Sequence, residues 1–165
     1  SSDLKTGMLR SAHMLGNEEE IIFAATDLLA DTKLAPELSN EAHYYRAKAY
    51  LDAGKTDGAM EDLKVLAKDT RNVYGAEAKY KVAQIYFDGG QTDKAEQEVL
   101  NYIEVSTPHT YWLARSFVLL ADVYMKLGRN LDAKQYLLSL KQNYQADDDI
   151  AGMIESRLEK LKTEN

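Results

Sequence analysis

The sequence predicts an all-α protein, an α-solenoid built from antiparallel helix hairpins and closed by a C-terminal capping helix. Two observations lead to this prediction. The 165 residues include only two prolines and nine glycines, too few for a chain rich in turns and strands. One block of six positions also recurs three times with identical internal spacing, and self-similarity at this scale indicates an array of helical repeats.

The recurring block consists of an alanine, an aromatic residue, a glycine, an alanine and two large apolar residues. Successive positions are separated by 3, 4, 5, 4 and 3 residues in every copy. The aromatic residue shares a helix face with the alanine before it, and the two alanines fall where the paired helices cross closely. The copies are Ala47-Tyr50-Gly54-Ala59-Leu63-Leu66, Ala83-Tyr86-Gly90-Ala95-Val99-Tyr102 and Ala121-Tyr124-Gly128-Ala133-Leu137-Leu140.

Each glycine of the block marks the turn between the two helices of a hairpin. Glycine readily takes the left-handed conformation that ends a helix. Two positions later stands a threonine or an asparagine, whose side-chain oxygen we expect to cap the second helix. The glycines and their predicted caps are Gly54 with Thr56, Gly90 with Thr92, and Gly128 with Asn130.

A degraded fourth copy precedes the three regular ones. Asn17 with Glu20 forms a capping-box pattern for its second helix, and an atypical repeat is common at the end of an array. Because this repeat begins abruptly, we expect an excised domain or a processed chain. Pro36 then opens the next helix, which we expect to end near Ala53. The degraded copy comprises Ala12, Gly16, Ile21, Ala25 and Leu28.

The last repeat and the capping helix complete the array. Thr107 predicts an N-cap and Pro108 a first helical residue, for a helix that runs to about Leu127 and is longer than its counterparts. Three acids, Asp147 to Asp149, suit the first turn of an amphipathic capping helix. We expect one domain over residues 1–165, with hairpins at about 3–33, 36–70, 74–104 and 108–144 and the capping helix at about 147–162.

Composition and spacing exclude several classes of function. The net charge of -7 disfavours nucleic acid, and no apolar run is long enough for membrane insertion. The chain has no cysteine, and His13, His43 and His109 lack the spacing of metal ligands on one helix face. No phosphate-binding glycine loop and no nucleophile motif occurs. We therefore expect no cofactor, no metal site and no enzymatic activity.

The three blocks resemble the tetratricopeptide repeat. Residues 47–66, 83–102 and 121–140 match the small residues at its eighth and twentieth positions, the aromatic at its eleventh, and the apolar residues at its twenty-fourth and twenty-seventh. The fourth position, a tryptophan in that family, is His43, Lys79 and Phe117 here. The resemblance implies a right-handed superhelix that acts as a non-catalytic scaffold and binds a protein or peptide on its concave face.

The repeat length indicates a finer resemblance. Repeats of 36 and 38 residues, and the segment from Thr107 to Arg115, look like those of bacterial cell-envelope proteins, including outer-membrane-assembly lipoproteins and large repeat proteins of Bacteroidetes. This resemblance favours the periplasm or the cell envelope over the cytoplasm. It also keeps an alternative open, in which the chain is a structural spacer or a self-association module of a larger envelope protein.

The family resemblance also implies which side chains face the concave groove. Aromatic residues among them would anchor a ligand, and polar residues would orient it. The positions that bind a terminal carboxylate in chaperone-binding relatives hold Thr6, Arg10, Glu41 and Tyr45 here, so we expect that mode to be absent. The implied partner-binding residues, called the groove positions below, are Arg10, His13, Tyr44, Lys48, Tyr80, Gln84, Phe87, Arg115 and Asp122.

Overall fold

The computed structural model describes residues 1–163, in which nine α-helices and no strand occur. Consecutive helices are joined by short turns or connectors, in agreement with the predicted all-α repeat architecture. The helices are α1 (Ser2–Leu15), α2 (Glu18–Leu29), α3 (Pro36–Asp52), α4 (Thr56–Leu66), α5 (Val73–Asp88), α6 (Thr92–Val105), α7 (Thr110–Lys126), α8 (Asn130–Asn143) and α9 (Ile150–Thr163).

Two compact units divide the chain. The first unit is Ser1–Ala78, and the second unit begins at Lys79, inside α5. In the first unit α2 packs against α1 and α3, and α3 packs against α4. In the second unit α7 packs against α6 and α8, and α9 packs against both α7 and α8. The assignment of residues 1–165 to a single domain stays a prediction.

The repeated block supplies the core of each hairpin, as predicted. All six of its alanines are at most 1% exposed, which lets the paired helices approach closely. Its large apolar positions are buried as well, and burial raises the pKa of Tyr102 to about 12. Tyr50 and Tyr86 are only half-buried. The ring of Tyr50 lies so close to Gly58 that a Cβ atom there would be 3.1 Å from it.

The turns at the three glycines form as predicted, but the predicted side-chain caps of the helices that follow them do not. Gly54, Gly90 and Gly128 adopt φ angles of 75°, 79° and 75°. The following residue, Lys55 in the first of these turns, already supplies the carbonyl that accepts the first helical hydrogen bond, from the Ala59 amide at 3.2 Å. The predicted caps are therefore the first helical residues, and the N-caps make no side-chain hydrogen bond. The corrected N-caps are Lys55, Gln91 and Arg129, in place of Thr56, Thr92 and Asn130.

Side-chain caps do occur at α2 and α5. Asn17 Oδ1 accepts a hydrogen bond from the Glu20 amide at 3.1 Å, which confirms the predicted cap of α2. Pro36 opens α3 as predicted. At α5, Asn72 Oδ1 accepts hydrogen bonds from the amides of Tyr74 and Gly75, so this asparagine caps a helix for which the sequence analysis named no cap.

The prediction for the start of α7 was wrong. Thr107 Oγ1 accepts a hydrogen bond from the His109 amide at 3.0 Å and closes a local turn around Pro108. The helix therefore begins at Thr110, and its 17 residues equal the length of α3. Ser106, with a φ of 64°, redirects the chain out of α6 just before this turn.

The capping helix α9 is present, but the three acids precede it rather than fill its first turn. Asp148 Oδ1 accepts a hydrogen bond from the Ile150 amide at 2.9 Å, so the helix begins at Ile150. Ile150, Ile154 and Leu161 are buried. This apolar stripe covers α7 and α8, as expected of a cap at the end of a helical array.

Candidate functional site

In the first unit, the groove positions on α1 are fixed by partners on α3. Arg10 donates from Nε and Nη2 to the two carboxylate oxygens of Glu41, at 2.9 and 2.8 Å. The hydrogen bond from Arg10 lowers the pKa of Glu41 despite partial burial. His13 stacks on Tyr45, with ring centroids 4.1 Å apart. Arg10 therefore already holds a carboxylate of its own unit.

Tyr44 on α3 is held by residues of α5. Its ring stacks on Tyr74 at 4.2 Å, and its hydroxyl donates to Glu77 Oε1 at 2.9 Å. Burial, reinforced by the carboxylate of Glu77, raises the pKa of Tyr44, so the phenol remains protonated. Lys48 Nζ lies 3.5 Å from the same hydroxyl and 5.3 Å from the ring centroid. Tyr44 and Lys48 thus form an ordered pair, in which the lysine is exposed.

A buried ion cluster stands between α3 and α4. Asp62 is 1% exposed and accepts hydrogen bonds from Arg46 Nε and Nη2, at 2.9 and 2.7 Å. His43 Nδ1 lies 2.7 Å from Asp62 Oδ1. Burial alone would raise the pKa of Asp62, but the hydrogen bonds from His43 and Arg46 outweigh it and lower that pKa. The cluster joins the two helices of its hairpin through the histidine at the fourth position of the repeat.

In the second unit, Arg115 is surrounded by aromatic rings. Its Nη2 donates to Tyr80 Oη at 2.9 Å and its Nη1 to Tyr111 Oη at 3.0 Å. Its guanidinium carbon lies 4.8 Å from the Tyr80 centroid and 6.0 Å from that of Trp112, within the range of cation–π attraction. Each tyrosine donates its own hydroxyl proton onward, Tyr111 to Asp149 and Tyr80 to Gln84.

Tyr80 differs from the expected anchor because it is only 6% exposed. Burial raises the pKa of its phenol, although the nearby Arg115 acts in the opposite direction. Trp112 packs on its ring at 5.7 Å. Tyr80 consequently offers little apolar surface to a ligand, and its described contacts serve to orient Arg115 and Gln84.

A pocket of about 560 Å³ opens between α5, α7 and α9, within the second unit. Two groove positions, Phe87 and Asp122, line it together with further residues of α7 and with residues of α9. Asp122 accepts two hydrogen bonds from Arg157 of α9, at 2.8 and 3.0 Å. The full lining is Phe87, Asp122, Met125, Lys126, Ser156, Arg157 and Lys160.

The structure therefore brings the groove positions together in separate groups. One group is Tyr44 with Lys48, another is Tyr80 with Gln84 and Arg115, and a third is Phe87 with Asp122. The basic residues of α9 were missed because that helix was interpreted only as an apolar cover. The spacing of Arg157 and Lys160, which places both on one helix face, was the available signal.

Two further findings describe what residues 1–163 lack. No helix in this range is long and apolar enough to cross a membrane. No group of three or more His, Asp or Glu side chains in the same range could hold a metal ion.

Comparison with known proteins gives matches at the level of the repeat. The family model described as tetratricopeptide repeat matches residues 41–69, and a second model of the same description matches residues 114–142. Two crystal structures of nearly identical TPR-like repeats, assigned to a kinesin light chain of Podosopora anserina, have a similar fold. One of them, a single-substitution variant, aligns with a TM-score of 0.61 at 16% identity, covering 98% of this chain and 92% of that one.

The second of these structures aligns with a TM-score of 0.59 at 15% identity, over 98% of this chain and 93% of that one. At such identity the likeness shows the helical repeat fold. No curated protein sequence matches the chain significantly.

Proposed function

Because this chain is a tetratricopeptide repeat protein, we propose that it is a scaffold whose groove positions bind a peptide or protein segment. Repeats of this family generally mediate interactions between proteins and are typically non-catalytic. The finer proposal concerns the binding surfaces, one set of groove positions in each unit. Side chains that are held in place before a ligand arrives lose less conformational entropy on binding.

The observation that carries this proposal is that hydrogen bonds and ring contacts from neighbouring side chains hold the groove positions in place. In the first unit, Tyr44 is fixed by Tyr74 and Glu77, and it places Lys48 at the surface. In the second unit, two tyrosine hydroxyls fix Arg115. Oriented aromatic and cationic groups of this kind are enriched where proteins bind one another.

A peptide selection tests the proposal. The chain would be used to select from a random library of displayed peptides of roughly 12 residues, the length of a segment that a groove accommodates. Binding of the selected peptides would then be measured by fluorescence anisotropy with two groove variants, Tyr44→Ala/Lys48→Ala and Arg115→Ala. We expect at least one variant to weaken binding by about tenfold, the loss typical of one side chain that matters for binding.

A matched control separates site loss from a change in overall charge. Lys68 and Lys134 are exposed, and neither lies in the groups described above, so Lys68→Ala/Lys134→Ala should leave binding unchanged. Circular dichroism would establish that each variant is folded. Selected peptides that bind both groove variants as tightly as the unaltered chain would contradict the proposal, and so would a selection that yields no binder.

A second candidate function, a structural spacer or self-association module, is favoured by the exposed face of α1. Leu4, Met8 and Leu15 are 68%, 53% and 79% exposed. The repeat register places Leu4 where Ala42 lies in α3, and that alanine is fully buried under the preceding hairpin. Sedimentation velocity over a range of concentrations tests this candidate, because a strict monomer would contradict self-association.

This second candidate function also includes the proposal that the chain is part of a larger cell-envelope protein. It is supported by the 36- and 38-residue repeat lengths and by the segment from Thr107 to Arg115. Fractionation of cells that express the full-length gene product would test it, with recovery in the cytoplasmic fraction as the contrary result.

A further inference from the structure

We propose that the pocket between α5, α7 and α9 binds an acidic segment of a partner protein that carries one large apolar side chain. The inference rests on the proposed scaffold function and names the partner chemistry of one of its surfaces. Lining residues from three helices contribute an apolar floor and a basic rim, and these two features select the ligand together.

The floor of the pocket is provided by Phe87 of α5 and Met125 of α7. Both are half-buried and pack on the core of the second unit. A phenylalanine beside a flexible thioether presents a surface that adapts to aromatic or branched aliphatic side chains. With a volume of about 560 Å³, the pocket has room for one large side chain and its neighbouring backbone.

The rim carries three cations against one carboxylate. The carboxylate, Asp122, is already bound by two hydrogen bonds from Arg157. Within the described part of the chain, neither Lys126 nor Lys160 forms an ion pair with a carboxylate. Two unneutralised ammonium groups therefore remain beside an apolar floor, in a chain whose overall charge is -7. A ligand with carboxylates next to its apolar side chain complements both.

Arg157 has a positioning role in this site. Its Nη1 donates to the carbonyl of Met153 in its own helix at 3.2 Å, while Nε and Nη2 hold Asp122 of α7. This bidentate contact joins the two helices that form the walls of the pocket. Arg157 and Asp122 thus set the width of the site, and the two lysines supply its free charge.

The closing experiment uses peptides from the same library selection. Peptides that match the proposal contain an aromatic or aliphatic residue flanked by Asp or Glu, and each would be compared with a version in which Lys replaces the acids. We expect the Lys versions to lose binding. Raising the salt concentration to about 0.5 M should also weaken the acidic peptides, since the Debye length then falls to about 4 Å.

Two variants place the binding in the pocket. Lys126→Ala/Lys160→Ala should weaken the acidic peptides by about tenfold, the combined effect of two rim charges, whereas the control Lys68→Ala/Lys134→Ala should not. Ser156 is an exposed residue of the lining, so Ser156→Trp should fill the pocket and prevent binding with little effect on the fold. Thermal unfolding would verify that both variants remain folded.

The outcomes distinguish this inference from the scaffold function. If selected peptides respond to the Tyr44/Lys48 or Arg115 variants but not to the Lys126/Lys160 and Ser156 variants, the pocket assignment is overturned and the scaffold function stands. Selected peptides without acids would likewise overturn the assignment. Anionic lipid vesicles bound with the same dependence on Lys126 and Lys160, in the absence of any peptide binder, would overturn both.

Discussion

The first and second units share one packing pattern, but their charged side chains have different partners. Both bury the alanines of the repeated block, and both end the first helix of a hairpin at a left-handed glycine. In the first unit Arg10 and Arg46 each hold a carboxylate in a bidentate contact. In the second unit Arg157 holds Asp122 in the same way, but Arg115 is held by tyrosine hydroxyls, and Lys126 and Lys160 line a pocket. The repeat constrains the core and leaves the remaining faces free to diverge.

One pair of positions shows how that divergence is accommodated. In the three regular repeats, the fourth position contacts the residue 19 positions later, across the hairpin. In the first unit the contact is a side-chain hydrogen bond of 2.7 Å between His43 Nδ1 and Asp62 Oδ1. In the second unit the contact is an ion pair between Lys79 and Glu98. In the last hairpin it is a contact between the rings of Phe117 and Tyr136. The type of contact therefore differs between the three hairpins, although the two positions that make it are the same. Both residues of the pair differ from one hairpin to the next.

The largest effect on stability is expected from the substitution of a glycine in α5. A Cβ atom at Gly75 would overlap the backbone carbonyl oxygens of Asp69 and Leu66 in the first unit, and backbone cannot move aside as a side-chain end can. Gly75→Ala should therefore lower the free energy of unfolding by about 4 kcal/mol or more, as measured by urea denaturation. In α9, a Cβ atom at Gly152 would meet nothing within 4 Å.

Gly152→Ala is the matched control in the second unit. Alanine favours a helix over glycine by about 0.8–1.0 kcal/mol, so this variant should be slightly stabilised. If Gly75→Ala is as stable as Gly152→Ala, the close backbone approach at Gly75 does not exist.

The next largest effect concerns the charges that distinguish the units. Asp62→Asn removes the charge of a fully buried carboxylate and leaves the partly buried Arg46 without it, and we expect a loss of about 3 kcal/mol. Asp122→Asn removes a contact whose partners are about one quarter exposed, so water screens it and the loss should be about 1 kcal/mol or less. Urea denaturation of both variants measures the contrast, and a greater loss at Asp122 would refute it.

The pH dependence of stability sharpens the same contrast. Because the pKa of Asp62 is lowered in the folded protein, its contribution is complete above the unfolded value of about 3.9 and is lost as pH falls through the folded value. The difference in unfolding free energy between the unaltered chain and Asp62→Asn should thus be constant near neutral pH and shrink below about pH 4. A difference that grows on acidification would contradict this.

The smallest effects should come from the helix caps. Asn17 in the first unit accepts a hydrogen bond from the Glu20 amide, and Asn17→Ala should cost about 1 kcal/mol. Asn130 in the second unit is a helical residue whose hairpin has no side-chain cap. Asn130→Ala should change stability by less than about 0.5 kcal/mol. Thermal melts that rank the two variants in the opposite order would restore Asn130 as a cap.

The sequence was sufficient for the hairpins because their signals are local. A glycine that ends a helix, or an alanine where two helices cross, is determined by residues a few positions away. The predicted caps were displaced by one residue because the residue after each glycine is still outside the helix. Thr107 and Pro108 resemble a helix start, yet the Thr107 side chain forms a turn with the nearby His109 amide.

The candidate site could be predicted only in part, because it depends on contacts between residues that are far apart in the sequence. Tyr80 was expected at the surface, but Trp112 and Arg115, more than 30 positions later, cover it. The pocket beside Phe87 depends on where α9 lies against α7. No local pattern specifies that placement, although the basic spacing in α9 shows which residues could take part.

The exposed face of α1 contains a methionine whose oxidation can report whether this face is covered. The thioether of Met8 lies on that face with 53% of the residue accessible, and accessible methionines are oxidised to sulfoxides by peroxide. Its rate of oxidation should be high while the face is bare and should drop when another helix covers it. Mass spectrometry of this single residue can therefore test whether the proposed self-association covers this face.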